Sequence, residues 1–131
     1  MLNTAKSWLV HLVLSGLAVL APIKPLLLVV GFLVSSDFVS GMLAARKRKE
    51  PITSAAMRRT VTKLLIFQIA VLSGFAMEIG ILEHAIPVAK LVAGAIALSE
   101  LKSVLENVET IHGQRLFTSI LKKLGSSNDD L

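Results

Sequence analysis

Apolar residues fall into four long runs separated by short polar breaks. A helix crossing a bilayer core of about 30 Å needs about 20 predominantly apolar residues, which sets the window for reading them. The clearest run is residues 26–45, interrupted by one charge, Asp37. Its eleven Leu, Val and Phe residues contribute about −3 to −7 kcal/mol of insertion free energy, against about +2.5 to +3.5 kcal/mol for a central Asp, so the segment inserts. A second run, 64–82, has Glu78 near one end, and a third, 86–101, is bordered by Lys90 and Glu100. The N-terminal run, 4–21, has the shortest apolar core, Trp8 to Ala21, which Lys6 extends by snorkelling while Trp8 sits at the interface. A secretory signal is the competing reading of this run, with Val19-Leu20-Ala21 as the cleavage region, although Pro22 directly afterwards is awkward for cleavage.

Beyond the third run, Leu101, Val104, Leu105, Val108 and Ile111 recur at helical spacing opposite Glu100, Ser103, Glu106, Asn107 and Thr110. This polar stripe either lines an aqueous path in an assembly or is a solvated face beyond the bilayer. Gly113 ends the run. Residues 114–124 set Leu116, Phe117, Ile120, Leu121 and Leu124 against Arg115, Lys122 and Lys123, the pattern of a basic amphipathic helix lying on a membrane surface. Residues 125–131 are a polar tail. The pattern therefore predicts an all-α integral membrane protein, with four transmembrane helices and a C-terminal amphipathic helix in one membrane domain.

Composition agrees. The 131 residues are 53% hydrophobic and only 18% charged, where about 25% charge is usual, and a chain this small cannot hide such an excess from water. A soluble enzyme is not the expectation on these grounds. The chain has no cysteine, which removes disulfides, thiolate metal sites and cysteine nucleophiles. His11, His84 and His112 have no ligand-spaced partners, and no phosphate loop, nucleophile elbow or carboxylate pair is present. Neither catalysis, a cofactor nor a metal is expected.

The net charge of +5 gains meaning from its distribution. Seven of the fourteen basic residues, Arg46, Lys47, Arg48, Lys49, Arg58, Arg59 and Lys63, lie between the second and third runs. The positive-inside rule makes 46–63 a cytoplasmic loop touching anionic headgroups. Four spans then place both termini on that side, with twelve basic residues there and only Lys24 and Lys90 opposite. No aromatic residue lies between Arg46 and Lys63 and no base-reading module surrounds them, so nucleic acid is not the expected partner.

Asp37 breaks the apolar rule most sharply. With Gly41, Ala44 and Ala45 it forms one helix face, beside a row of small residues, Ser36, Ser40 and Ala44. Small residues four apart let membrane helices approach closely, and intramembrane charges turn toward partners rather than lipid. The face is either an oligomer seam or an internal one, with Asp37 bonded to a neighbouring hydroxyl or lysine inside a single bundle.

These residues carry a family resemblance. Asp37 followed by Gly41 and small residues, a basic loop with Ser54 and then Lys63, and the late Glu100, Ser103, Glu106, Asn107 run together resemble the phage holin family that includes the toxin-secretion holins. The likeness covers about residues 26–124. In the loop the chain departs from the family, since Met57 and Thr60 stand at glycine positions and Thr62 precedes Lys63. The resemblance implies a homo-oligomer of the bacterial inner membrane that opens a lesion, through which an endolysin or toxin leaves the cytoplasm. A small transporter or channel subunit, and a non-permeabilising membrane scaffold, are the alternatives to that reading.

Overall fold

The computed structural model describes residues 2–113 and 115–126. It is all-helical: α1 (Leu2–Leu20), a 3-10 turn (Ala21–Ile23), α2 (Lys24–Lys47), α3 (Ser54–Gly80), α4 (Val88–His112) and α5 (Leu116–Ser126). At 1.5 Å per residue, α2, α3 and α4 are each about 36 to 40 Å long, enough to cross a bilayer core.

α2, α3 and α4 form one bundle. Lys63 of α3 meets Asp37 of α2 and Glu100 of α4, while Gln68 reaches Leu27 and Gly74 abuts Ala89. As numbering rises along α3 it falls along both partners, so α3 is antiparallel to α2 and α4, and those two are parallel. The end farther from the basic residues is packed with apolar side chains. Val30, Val34, Val71 and Ala93 make one buried cluster, and Ile23, Phe75 and Ala89 another. A Cβ at Gly74 would sit 3.4 Å from the Ala89 backbone, so a hydrogen here lets α3 and α4 come into direct backbone contact.

The connections are specific. Thr53 caps α3, its hydroxyl accepting from Ala56 N at 3.3 Å. Pro87 offers α4 no side-chain cap, and Glu78 Oε2 of α3 accepts from Ala89 N at 3.2 Å instead, satisfying a first-turn donor from the neighbouring helix. The chain reverses there through Glu83 and His84, both at positive φ. Gly113, at φ +71°, closes α4 in the left-handed conformation that glycine adopts without penalty.

Two sequence boundaries are revised. The basic connection is short: α2 continues through Lys47 and α3 begins at Ser54, so the stretch read as a loop over 46–63 is a turn of 48–53 followed by three helical turns carrying Arg58, Arg59 and Lys63. Charge suggested a loop, but the Thr53 cap and the helix formers after it decide the backbone. α5 continues to Ser126, past the expected start of the tail, while α4 carries both the third run and its polar stripe and closes at Gly113. α1 does not pack beside α2. Leu20, Ile23 and Lys24 all keep backbone angles on the helical side of the map, so no reversing turn forms, and residues 3–19 are exposed throughout. Residue 114 and most of the tail, 127–131, lie outside the described residues.

The exterior is apolar. Trp8, Leu12, Phe32 and Leu98 are each at least 70% exposed, and Leu28, Ile69 and Leu91 stand out between them. Two stretches, residues 3–47 and Ser54–Gly80, are long and apolar enough to cross a membrane by length and composition. With mostly apolar side chains outside and Asp37, Lys63 and Glu100 turned inward, the bundle suits a lipid solvent.

Candidate functional site

The middle of the bundle is polar. Asp37 lies near the midpoint of α2 and Glu100 near that of α4, each about 15 to 20 Å from its helix ends. Lys63 Nζ bridges them, 3.0 Å from Asp37 Oδ2 and 2.7 Å from Glu100 Oε2. Glu100 is only 1% exposed and is the largest fully buried side chain among the described residues. Its contact with Lys63 is short in distance but off the hydrogen-bonding axis, making it an ion pair rather than an aligned bond. Lys63 also lies 5.8 Å from the Phe67 ring centroid, within cation–π range.

Asn107, two turns beyond Glu100, completes the constellation. Its Nδ2 lies 3.1 Å from Asp37 Oδ1, 3.1 Å from Ser40 Oγ and 3.3 Å from Asp37 O. Ser40 Oγ in turn donates to Asp37 O at 3.1 Å. Three helices are thus tied by charge-assisted and amide hydrogen bonds, which fix register where apolar packing alone would let helices slide.

The structure brings together residues the sequence pattern separates. Asp37, Ser40, Gly41 and Ala44 face α4, with Ala44 fully buried and a Gly41 Cβ placed 3.6 Å from Asn107 Nδ2. In this chain the small-residue face is an internal seam. Ser36 spends its hydroxyl on Phe32 O, and Ala45 is half-buried at the seam's edge. The polar stripe divides: Glu100, Ser103 and Asn107 turn inward, while Glu106 is exposed beside Lys102 at 3.7 Å. In the single chain only the outer edge of the stripe is a solvated face, because α2 and α3 cover the rest.

Lys63 is the larger correction. Grouped by sequence with the headgroup residues, it points into the bundle, because it falls level with two carboxylates that have no other cation among the described residues. The signal available was Asp37 itself, which demands a partner. Gln68, the lone amide in 64–82, carries no sequence signal of its own. Its Nε2 donates to Leu27 O at 3.0 Å, and its Oε1 is buried without a partner among the described residues.

The other basic residues surround the turn. Arg48 and Glu50 form a two-pronged pair, both contacts 2.9 Å, which holds the Glu50 carboxyl below its ordinary value and the Arg48 guanidinium above its own. Lys47 Nζ donates to Ile111 O at the end of α4. Arg46, Lys49 and Arg58 are exposed. Between the turn and Asp37 is an open cavity of about 410 Å³, whose wall includes Asp37, Gly41, Arg59, Thr60, Ser103 and Asn107. A path from the basic end therefore reaches the bundle's middle and stops above the Val30, Val34, Val71 and Ala93 cluster. Among the described residues no group of histidines and carboxylates could hold a metal ion.

No curated protein and no solved structure matches the chain. A model of the bacteriophage holin family does match, over residues 16–126, which takes in the end of α1, the whole bundle and α5. The match runs through the Asp37 to Ala45 face, the basic turn and the Glu100 to Asn107 stripe, and on that extent the chain is a membrane protein belonging to the bacteriophage holin family.

Proposed function

We propose that this protein oligomerises in the bacterial inner membrane and opens a lesion through which a cell-wall hydrolase or toxin leaves the cytoplasm. The observation that carries the reading is the placement of Asp37, Lys63, Glu100 and Asn107 in the centre of an otherwise apolar-surfaced bundle. In one chain these groups satisfy one another and the exterior suits lipid, so single copies accumulate without harm to the barrier. On crowding, helices that part along the Asp37–Gly41 seam exchange internal partners for water, and the polar row becomes the lining of a lesion. The apolar Val30, Val34, Val71 and Ala93 cluster is the seal that must open.

The positive-inside rule orients the assembly. Arg46 to Lys49 with Arg58 and Arg59 face the cytoplasm, Lys102 and α5 share that side, and Lys24 and Lys90 lie opposite. A cytoplasmic N-terminus requires α1 to turn back against α2 as a fourth span, a reversal that the continuous run of α1 into α2 does not make. Neither the hydrolase nor the toxin need touch the protein.

The test is induction in bacteria carrying a co-expressed endolysin, following membrane potential and endolysin release. Abrupt loss of potential with release of the enzyme supports the reading. Selective ion flux without release of large molecules points to a channel subunit, and unchanged permeability to a scaffold; either result overturns it. Asp37→Leu and Gly41→Leu variants that insert yet permeabilise on the normal schedule would remove the seam from the mechanism.

A further inference from the structure

The cavity at the basic end has features that the midsection's own interactions leave unused. Its mouth is the 48–53 turn and the first turns of α3, and its wall combines apolar Phe38, Met42 and Ile52 with polar Thr60 and the guanidinium of Arg59. Arg48 is occupied by Glu50, and Asp37 by Lys63 and Asn107. Arg59 has no carboxylate partner among the described residues, so the cavity holds one uncompensated cation beside an apolar wall. Around the mouth, Arg46, Lys47, Lys49 and Arg58 add positive charge, with Glu50 the one carboxylate between Arg46 and Lys63.

We infer that this cavity is a binding site for the phosphodiester headgroup of an anionic phospholipid, held by Arg59, while the Thr60 hydroxyl is spent on Ala56 O. A guanidinium matches a phosphate's paired oxygens, which an exposed lysine does not. The volume of about 410 Å³ accommodates a glycerophosphate group. Free phosphate shares the recognition chemistry, but the lipid is the occupant on two grounds. The mouth lies where the apolar exterior gives way to the basic turn, at headgroup depth, and Phe38, Met42 and Ile52 offer an apolar wall that only an acylated phosphate uses. A lipid seated here bridges α2, the turn and α3, and its apolar body covers the cavity above Asp37. This inference depends on the membrane setting and not on lesion formation.

The test is native mass spectrometry of the purified full chain in mild detergent, with phosphatidylglycerol, phosphatidylcholine or inorganic phosphate added separately. Bound phosphatidylglycerol is expected, and Arg59→Gln should lower its occupancy by about tenfold, the worth of one charge-assisted contact. Arg58→Gln, which removes the same charge one residue outside the cavity wall, should lower it by about twofold or less, as a diffuse surface charge would. Ala56→Leu, which fills the cavity without altering charge, should also reduce binding and serves if the Arg59 variant misfolds. Equal losses from the Arg58 and Arg59 variants, binding unchanged by Ala56→Leu, equal retention of phosphatidylcholine, or displacement of the lipid by inorganic phosphate would each overturn the inference.

Discussion

The two halves of the α2–α3–α4 bundle are held together by different physics. Toward the 81–87 turn, the contacts are close and undirected: Val30, Val34, Val71 and Ala93 pack together, and Gly74 lets α3 lie against the Ala89 backbone. Toward the basic turn, Lys63, Asp37, Glu100, Ser40 and Asn107 make a few directional contacts beside an open cavity. In lipid, apolar packing has little hydrophobic driving force, because the tails are as apolar as the side chains they would replace. Close packing therefore seals the first half, while the polar half sets which helices pair and in what register. The polar half is also the one that can change partners, since water and a second copy both offer hydrogen bonds that lipid cannot.

This contrast can be broken most severely at Lys63. Lys63→Met leaves the buried Glu100 carboxylate and the half-buried Asp37 carboxylate without a cation and should cost about 3 to 5 kcal/mol, measured as loss of helicity or protease resistance in an SDS titration. Combining it with Asp37→Asn and Glu100→Gln removes the unpaired charges and should recover most of that loss. If the single variant is as stable as the parent, the ion triad does not organise the bundle.

A smaller effect is expected in the close-packed half. Gly74→Val adds a branched side chain where even a Cβ meets backbone at 3.4 Å, and should cost about 1 to 3 kcal/mol in the same titration. It should also delay lesion onset less than changes at Asp37, because it alters closeness and not partner choice. Asn107→Ala removes the donor shared by Asp37 and Ser40 and should cost about 1 kcal/mol, the range of a hydrogen bond within a membrane bundle.

The smallest effect belongs to the turn. Arg48 holds the Glu50 carboxyl below its ordinary value of 4.5, so the folded turn favours the ionised form. A lowered folded value means that this contribution is fully present above the unfolded value near 4.5 and is lost as pH falls through the lower folded one. Both side chains are exposed, so the change should be local: faster proteolysis at 48–53 below that pH in the parent, and no such acid dependence in Glu50→Gln.

Much of this was legible in the sequence. The apolar runs located the helices, Gly113 marked the end of α4, and the spacing of Asp37, Gly41 and Ala44 described one face correctly. Asp37 alone implied a partner somewhere. What could not be read was which residue supplied it, because Lys63 lies 26 residues away and only the antiparallel register of α3 brings it level. Arg58, Arg59 and Lys63 looked like one basic cluster, although helical geometry sends Arg59 to a cavity and Lys63 to the core. The run at 4–21 is a span by hydropathy, which reports that a helix prefers lipid and is silent on whether it touches its neighbours.

On the proposed mechanism, polar groups buried within one chain meet water in the assembled lesion. The chain has no cysteine, so Ser40→Cys provides a single thiol in the seam, 8% exposed in the parent, and Leu98→Cys a lipid-facing control. Labelling with a charged maleimide before and after lesion onset measures access directly, since the reagent needs a water-exposed thiolate. The account predicts a Ser40→Cys thiol that is protected while the membrane holds its potential and labelled once it collapses, with Leu98→Cys unlabelled throughout. A Ser40→Cys thiol that stays protected through full lysis, in a variant that lyses normally, would contradict it.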